Sequence, residues 1–353
     1  MNPKNHLIIY EQLGNCGNIG VISLNKKTNL NSINLEMINT IHKKLREWEH
    51  KKNIKVVIIK SKHKEVFCAG GDLKALYKND YEFNCNTLWH EYRLIEKINN
   101  YNKPIISFIN GFTMGGGVGL SIFAKHRIAA SNLELAMPET KIGFFPDVGS
   151  TFFLRRIKGK CGLYLGVTGA SIQAEDAIYC KLVDHILEWD MFDDVINEIC
   201  SLNLGDNPNI IIQKILNKHS KKYSKSKIEE NIEHINKSFS NSCISSIKNS
   251  LIKDSSIWAK ETLKRMSHNS PNSMIITTRI LTCEPPKDLR TALKLEYQLA
   301  CNMICKNDFQ EGIRAKLIDK DQKPKWTDQL HDKEINRYFT KNKPELKFTN
   351  TKD

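Results

Sequence analysis

Residues Asn110-Gly111-Phe112-Thr113-Met114-Gly115-Gly116-Gly117-Val118-Gly119 form a glycine run, and two carboxylates follow it. Glu139 comes after Pro138 and Asp147 after Pro146, eight positions apart and in apolar company. A triple glycine brings bare backbone N–H groups close to a ligand, because no Cβ blocks the approach. Carboxyls beside apolar neighbours serve as acids, bases or nucleophiles. Met137, Ile142 and Phe144 flank Glu139, so partial burial with a raised proton affinity is expected there. Together these parts suggest an oxyanion hole and a pair of acid/base groups, which is the signature of an enzyme.

Four blocks carry a resemblance. The first is Gly20-Val21-Ile22-Ser23-Leu24-Asn25, continuing to Leu30-Asn31-Ser32-Ile33-Asn34. The second is Val66-Phe67-Cys68-Ala69-Gly70-Gly71-Asp72-Leu73. The third is the glycine run through Asp147, and the fourth runs from Phe309-Gln310-Glu311-Gly312-Ile313-Arg314-Ala315 to Pro324-Lys325-Trp326. In this order the chain resembles the enoyl-CoA hydratase/isomerase (crotonase) superfamily, and the third and fourth blocks resemble its 3-hydroxyisobutyryl-CoA hydrolase branch. One departure is visible: Asn25-Lys26-Lys27-Thr28 lacks the proline usual in that branch.

The resemblance implies an α/β fold, a crotonase-like spiral of ββα units followed by a C-terminal helical region. It implies hydrolysis of a 3-hydroxyacyl-CoA thioester in valine breakdown, with the backbone N–H groups of Gly71 and Gly116 holding the oxyanion. Glu139 is then the nucleophile or the general base on water, and Asp147 accepts a hydrogen bond from the substrate's β-hydroxyl. Glu91 matches a position lining the acyl pocket. Hydratases of the superfamily carry a glutamate at the position of Gly119, where this chain has no side chain. No cofactor is expected, since coenzyme A is part of the substrate.

Each residue also has a plainer role. Gly71 alone reads as a tight turn, Glu139 as a surface carboxylate, and Glu91 as a solvent-facing helix glutamate. Asp147 precedes Gly149-Ser150-Thr151 and could cap a helix. Two alternatives remain at this stage: a hydratase or isomerase on another acyl-CoA, or a CoA- or RNA-binding relative without turnover.

The elements that must position these groups are partly visible. Val21-Ile22-Ser23-Leu24 and Val56-Val57-Ile58-Ile59 read as buried strands, and Pro104 to Ile109 as the strand feeding the glycine run. Ile38, Ile41, Leu45 and Trp48 mark one helix face, and a helix is expected from about Gly116 through Ala124. After about residue 200 strands give way to helical spacings, at Ile228, Ile232, Ile235 and Phe239 and at Leu293, Tyr297, Ala300 and Ile304. Serine-rich stretches, Ser240 to Ser250 and Ser267 to Ser273, read as connectors. The expected organisation is a catalytic core over residues 1–200, a mainly helical region over 201–326, and a charged, loosely held tail over 327–353.

At 353 residues and 40% hydrophobic content the chain can bury a large core. No apolar run approaches the roughly 18 residues needed to span a bilayer, so no membrane partner is expected. Met1 to Tyr10 resembles neither a secretory signal nor an Arg-rich presequence, which reads as cytoplasmic; the mitochondrial matrix is the alternative if the source is eukaryotic. Ten scattered cysteines show no zinc spacing, and the eleven histidines no ligand spacing, so neither disulfides nor a metal are implied. His126 and His185 read as structural, and Cys68 as packing. The net charge of +14, with the run Lys221-Lys222-Tyr223-Ser224-Lys225-Ser226-Lys227, reads as a solvated lysine-rich surface rather than a nucleic-acid site. Oligomeric state stays open.

Overall fold

The computed structural model describes residues 6–205, 207–341 and 345–348; residues 1–5, part of the amino terminus read above, and 349–353 of the charged tail lie outside the described residues, as does the Cys16 side chain. Two compact units are built from interleaved stretches of chain. One comprises Met1–Gly71, Leu94–Leu135 and Ile172–Ser226, and the other Asp72–Arg93, Ala136–Ser171 and Lys227–Asp353.

The first unit is organised by a six-stranded sheet in the order Ile8–Leu13, Ile19–Leu24, Val56–Ser61, Ile105–Ile109, His126–Ala130, His185–Leu187. The first pair is antiparallel and the rest parallel, with Val21 opposite Ile58 and Ile58 opposite Ile106. Parallel strands buried on both faces need near-continuous apolar runs, which explains why these segments were legible. Ile19, Val21, Val56, Ile58, Ile106, Phe108 and Ile128 form one face of the core, with Val195 and Ile199 from the helix Phe192–Ser201 and Ile212 and Leu216 from Pro208–His219 packed into the same cluster.

The helix Leu35–His50 buries Met37, Ile38, Ile41, Leu45 and Trp48, and Asn34 caps it by accepting from the Met37 N–H at 3.0 Å. A Cβ on Gly20 would sit 2.5 Å from the Trp48 ring, so only glycine leaves the indole its place. A smaller sheet pairs Val66–Cys68, Phe112–Met114 and Glu134–Ala136 in that order. It carries the two glycine loops.

The second unit is mainly helical, and among the described residues no strand follows Leu187. Leu289–Met303 is the long helix expected from Leu293, Tyr297 and Ala300, all buried. The stripe Ile228 to Phe239 is split at Asn231 into Lys227–Glu230 and Ile232–Ser238. Both serine-rich connectors are shorter than expected. Ile244–Lys253 is helical because Ile244, Ile247 and Leu251 bury one face, outweighing its serines. The other ends at Ser270, whose side chain accepts from the Ser273 N–H and caps Pro271–Thr282. The tail also carries more structure than its charge suggested. Asp332–Tyr338 is a helix with Ile335 buried, and Asn302 Nδ2 donates to the Tyr338 and Thr340 carbonyls.

Candidate active site

In the first unit, the strand Val66–Cys68 runs into Gly70 and Gly71. Gly70 lies at φ 97°, its carbonyl accepts from the Ile33 N–H at 2.9 Å, and Ile33 and Gly71 form a parallel bridge. The helix Gly116–Ile122 starts after Gly115, which has φ 48°. The two loops lie close together, since a Cβ on Gly70 would fall 3.0 Å from the Met114 carbonyl and 3.6 Å from the Gly116 nitrogen. A Cβ on Gly71 would meet nothing within 4 Å, so the space before it is open. Gly116 is in the first turn, where N–H groups have no i−4 partner inside the helix and the dipole favours negative charge. Gly119 is buried in the same helix. The Cys68 thiol donates to the Gly70 carbonyl at 3.7 Å and packs under this loop.

Three of the sequence-predicted residues are gathered in the second unit, and a fourth carboxyl joins them. Glu139, Asp147 and Glu91 are 7, 6 and 6% exposed, and Glu296 is 0% exposed. Glu139 opens the short 3-10 turn Glu139–Ile142. Close packing holds that turn: a Cβ on Gly143 would overlap the Asp308 carbonyl at 2.2 Å, and one on Gly312 would lie 2.4 Å from the Ile142 carbonyl carbon. The Ser270 N–H donates to the Thr140 carbonyl at 2.9 Å, and Asn269 Nδ2 donates to Thr140 Oγ1 at 3.1 Å. Glu139 Oε2 is buried and makes no hydrogen bond.

Asp147 is placed by Tyr92, whose phenol donates to Asp147 Oδ2 at 2.6 Å. Tyr92 and Glu91 are neighbours on the helix Tyr81–Asn99, and the Tyr92 ring meets the edge of Tyr297, which in turn meets Trp89. Glu91 is therefore not the solvent-facing residue that its sequence position allowed.

The helix-cap role considered for Asp147 is not what the structure holds. The helix Ser150–Phe153 has no side-chain cap from its own neighbours. Its free N–H groups go instead to Glu296 on the helix Leu289–Met303. Glu296 Oε2 accepts from the Gly149 N–H at 2.6 Å, and Oε1 from the Thr151 N–H at 2.8 Å and the Thr151 hydroxyl at 2.6 Å. The turn between is strained, with Val148 at φ 52° and Gly149 at φ 87°. A buried β-branched residue in the left-handed region costs on the order of 1–3 kcal/mol.

Burial dominates the electrostatics of this cluster. It pushes Glu139 well above the ordinary carboxyl value, with the Asp147 charge adding to the effect. Glu91 is driven to about 8 by burial and then by Asp147. Asp147 rises to about 6, burial being opposed by the Tyr92 hydrogen bond. Glu296 rises to about 8 through burial, against the pull of the Thr151 and Gly149 donors. Burial thus raises all four carboxyls, with Asp147 the one that a hydrogen bond from Tyr92 pulls back towards the ionised form, and a raised carboxyl such as Glu139 is a strong base once deprotonated.

Tyr92 and Glu296 were missed in the sequence. Glu296 left a trace, lying three after Leu293 and four before Ala300 on an apolar face. A carboxyl inside a buried stripe needs partners. His126 Nε2 meets Asn209 Oδ1 and His185 Nε2 meets Gln213 Nε2, each at 3.1 Å, so both sit in local polar pairs. Among the cysteines whose side chains are described, none forms a disulfide. Among the described residues, no three His, Cys, Asp or Glu side chains are grouped to hold a metal ion.

Comparison with known proteins gives this geometry its family. A family model described as enoyl-CoA hydratase/isomerase matches residues 19–339. Mitochondrial 3-hydroxyisobutyryl-CoA hydrolase of Bos taurus is 37% identical over 333 residues, covering 92% of this chain and 86% of that one. The Homo sapiens protein of that name is 35% identical over 334 residues, with the same coverage. A carnitinyl-CoA dehydratase structure from Mycobacterium thermoresistibile matches with a TM-score of 0.89 at 29% identity, covering 98% of this chain and 100% of that one. An enoyl-CoA hydratase structure from Rhodobacter sphaeroides matches with a TM-score of 0.85 at 29% identity, covering 95% and 97%. The fold is thus the α/β fold that the resemblance implied, and the chain belongs to the enoyl-CoA hydratase/isomerase family.

Proposed function

We propose that this chain hydrolyses the thioester of 3-hydroxyisobutyryl-CoA, and of related 3-hydroxyacyl-CoAs, to the free acid and coenzyme A, a step of valine catabolism. One observation carries the assignment: two buried carboxyls of one cluster are prepared for different tasks. Asp147 is held by Tyr92, whose hydrogen bond pulls it back towards the ionised form, whereas Glu139 has a bare, buried oxygen and a strongly raised proton affinity. The names of the relatives support the same chemistry.

Water adds across the C–S bond, leaving acid and thiol. Glu139 either attacks the carbonyl carbon, giving a mixed anhydride that water opens, or takes the proton from the attacking water. The negative charge on the former carbonyl oxygen is the part assigned to the N–H groups of Gly71 and Gly116; losing one such donor typically costs about 3–4 kcal/mol. Asp147 accepts the β-hydroxyl hydrogen bond, and Glu91 lines the acyl pocket. Hydration of a double bond would need a second glutamate where the chain has Gly119. Hydrolysis does not, because a thiolate leaves with a conjugate-acid pKa near 8.5 by analogy with cysteine. No cofactor is required beyond the coenzyme A of the substrate.

The mitochondrial names of the relatives favour the matrix over the cytoplasm as the place of action. No described helix is long and apolar enough to cross a membrane. The basic stretch beginning at Lys221 is partly engaged, since Lys221 pairs with Glu188 at 2.7 Å, and a nucleic-acid partner is not part of the assignment.

The test is thiol release from 3-hydroxyisobutyryl-CoA, 3-hydroxypropionyl-CoA and crotonyl-CoA, with loss of the crotonyl double bond followed in parallel. Release from the two hydroxyacyl esters is expected, and Glu139→Gln should abolish it while ester binding survives. Double-bond hydration without thiol release would overturn the assignment. Turnover by Glu139→Gln would remove Glu139 from the chemistry. Label found in Glu139 after a single turnover in heavy-oxygen water would establish the anhydride route, with water opening the anhydride at the Glu139 carbonyl.

A further inference from the structure

Glu296 is a fully buried carboxyl for which the hydrolysis described above has no task, and its three partners all lie in the segment carrying Asp147. Two of them, the N–H groups of Gly149 and Thr151, belong to the start of the helix Ser150–Phe153, and the third is the Thr151 hydroxyl. The segment also closes on itself: the Ser150 N–H donates to the Asp147 carbonyl at 2.9 Å, and the Ser150 hydroxyl donates to the Pro146 carbonyl. Val148 lies in this turn at φ 52°, a conformation a β-branched side chain resists. Were Val148 to relax to negative φ, the peptide planes on either side would rotate. The Asp147 carboxyl, one residue before, would then leave the Tyr92 hydroxyl.

We propose that Glu296 is the positioning residue of the substrate-hydroxyl site: by accepting from Gly149 and Thr151 it clamps the left-handed Val148–Gly149 turn and so aims Asp147. The clamp comes from the helix Leu289–Met303, which makes that helix part of the specificity device as well as of the scaffold. The inference rests on the hydrolase assignment, because it concerns recognition of the β-hydroxyl.

Its signature is selective. Glu296→Gln replaces one acceptor oxygen with an NH2 group that faces N–H donors. Loss of one aimed hydrogen bond to a charged group predicts that the kcat/KM ratio of 3-hydroxyisobutyryl-CoA to isobutyryl-CoA falls about tenfold. Isobutyryl-CoA, which lacks the hydroxyl, should be cleaved about as fast as by the wild type. Glu296→Asp should restore part of the ratio. If Glu296→Gln does not fold, Thr151→Val decides, since it deletes only the hydroxyl bond and keeps shape and backbone N–H. Its ratio should fall roughly threefold, the lower end for one lost neutral hydrogen bond. Equal losses on both esters, or an unchanged ratio in the variants that fold, would overturn the positioning role and leave Glu296 a buried helix cap. A wild type that releases no thiol from either ester would overturn the hydrolase assignment itself, and the inference with it.

Discussion

Removing one oxygen atom, in Tyr92→Phe, gives a sharp test of the carboxylate cluster. Asp147 has a proton affinity raised by burial to about 6, and the Tyr92 hydrogen bond at 2.6 Å is the larger of the two hydrogen-bond effects that oppose the rise, the other coming from backbone. A hydrogen bond to a charged group is worth about 1.5–3 kcal/mol, and about 1.4 kcal/mol corresponds to a tenfold change in proton affinity. The variant's Asp147 should therefore ionise roughly one to two pH units later than in the wild type. At pH 7 the ionised fraction would drop from about nine-tenths to between about one-half and one-tenth. Activity on 3-hydroxyisobutyryl-CoA should fall about two- to tenfold at pH 7 and recover by about pH 9. The assay is the kcat/KM ratio of 3-hydroxyisobutyryl-CoA to isobutyryl-CoA against pH for both proteins, in which the Glu139 titration common to both esters cancels, with folding checked by circular dichroism. Glu139 and Glu91 titrate in the same cluster, so each midpoint belongs to the group, and the displacement between the two curves is the quantity to read. An acid limb that stays in place, or moves to lower pH, would refute the claim that Tyr92 keeps Asp147 ionised.

Two further outcomes bear on stability. Glu91 is driven from an ordinary value of 4.5 to about 8 on folding, so the folded state holds a proton that the unfolded state has released. Stability should therefore fall as pH rises from about 4.5 to about 8, and Glu91→Gln, which cannot titrate, should be less pH-sensitive and more stable at pH 8 by a few kcal/mol, at about 1.4 kcal/mol per tenfold change in affinity. Chemical denaturation at pH 5 and pH 8 checks this, and parallel slopes for the two proteins would contradict it. Gly117→Ala would put a Cβ 2.3 Å from the Cys68 carbonyl oxygen and 2.8 Å from the Cys68 Cβ, where backbone has little room to yield. A cost of about 1–3 kcal/mol is expected, read as a lower denaturation midpoint at unchanged slope; an unchanged midpoint would mean the loop is looser than drawn.

What the sequence disclosed followed the range of the forces involved. Strands such as Val56–Ser61 and helices such as Leu35–His50 write their burial into neighbouring residues, so their periodicity was readable. Glu139 and Asp147 were marked by their proline and apolar neighbours. Their partners were not, because the Tyr92–Asp147 bond joins residues 55 apart and the Glu296–Thr151 bond residues 145 apart. Asp147 looked like a cap because the local pattern was right, yet a distant carboxyl took the free N–H groups first. The serines of Ile244–Lys253 misled in the opposite direction, since three buried apolar residues at helical spacing outvoted them.

The interleaving of the two units sets a timetable for synthesis. Chains emerge amino terminus first, at about 5–20 residues per second. Tyr92 and Asp147 leave the ribosome early, but Glu296, which clamps the turn beside Asp147, lies 147 residues beyond Gly149. That interval is roughly 7–30 s at those rates. Throughout it Phe144, Phe145 and Tyr92, all buried in the finished protein, await the helices from Lys227 onward that complete their unit. Until its last third has been translated, the nascent chain lacks the segments that bury these aromatic side chains, and a ribosome that stops before residue 296 releases a chain without its clamp.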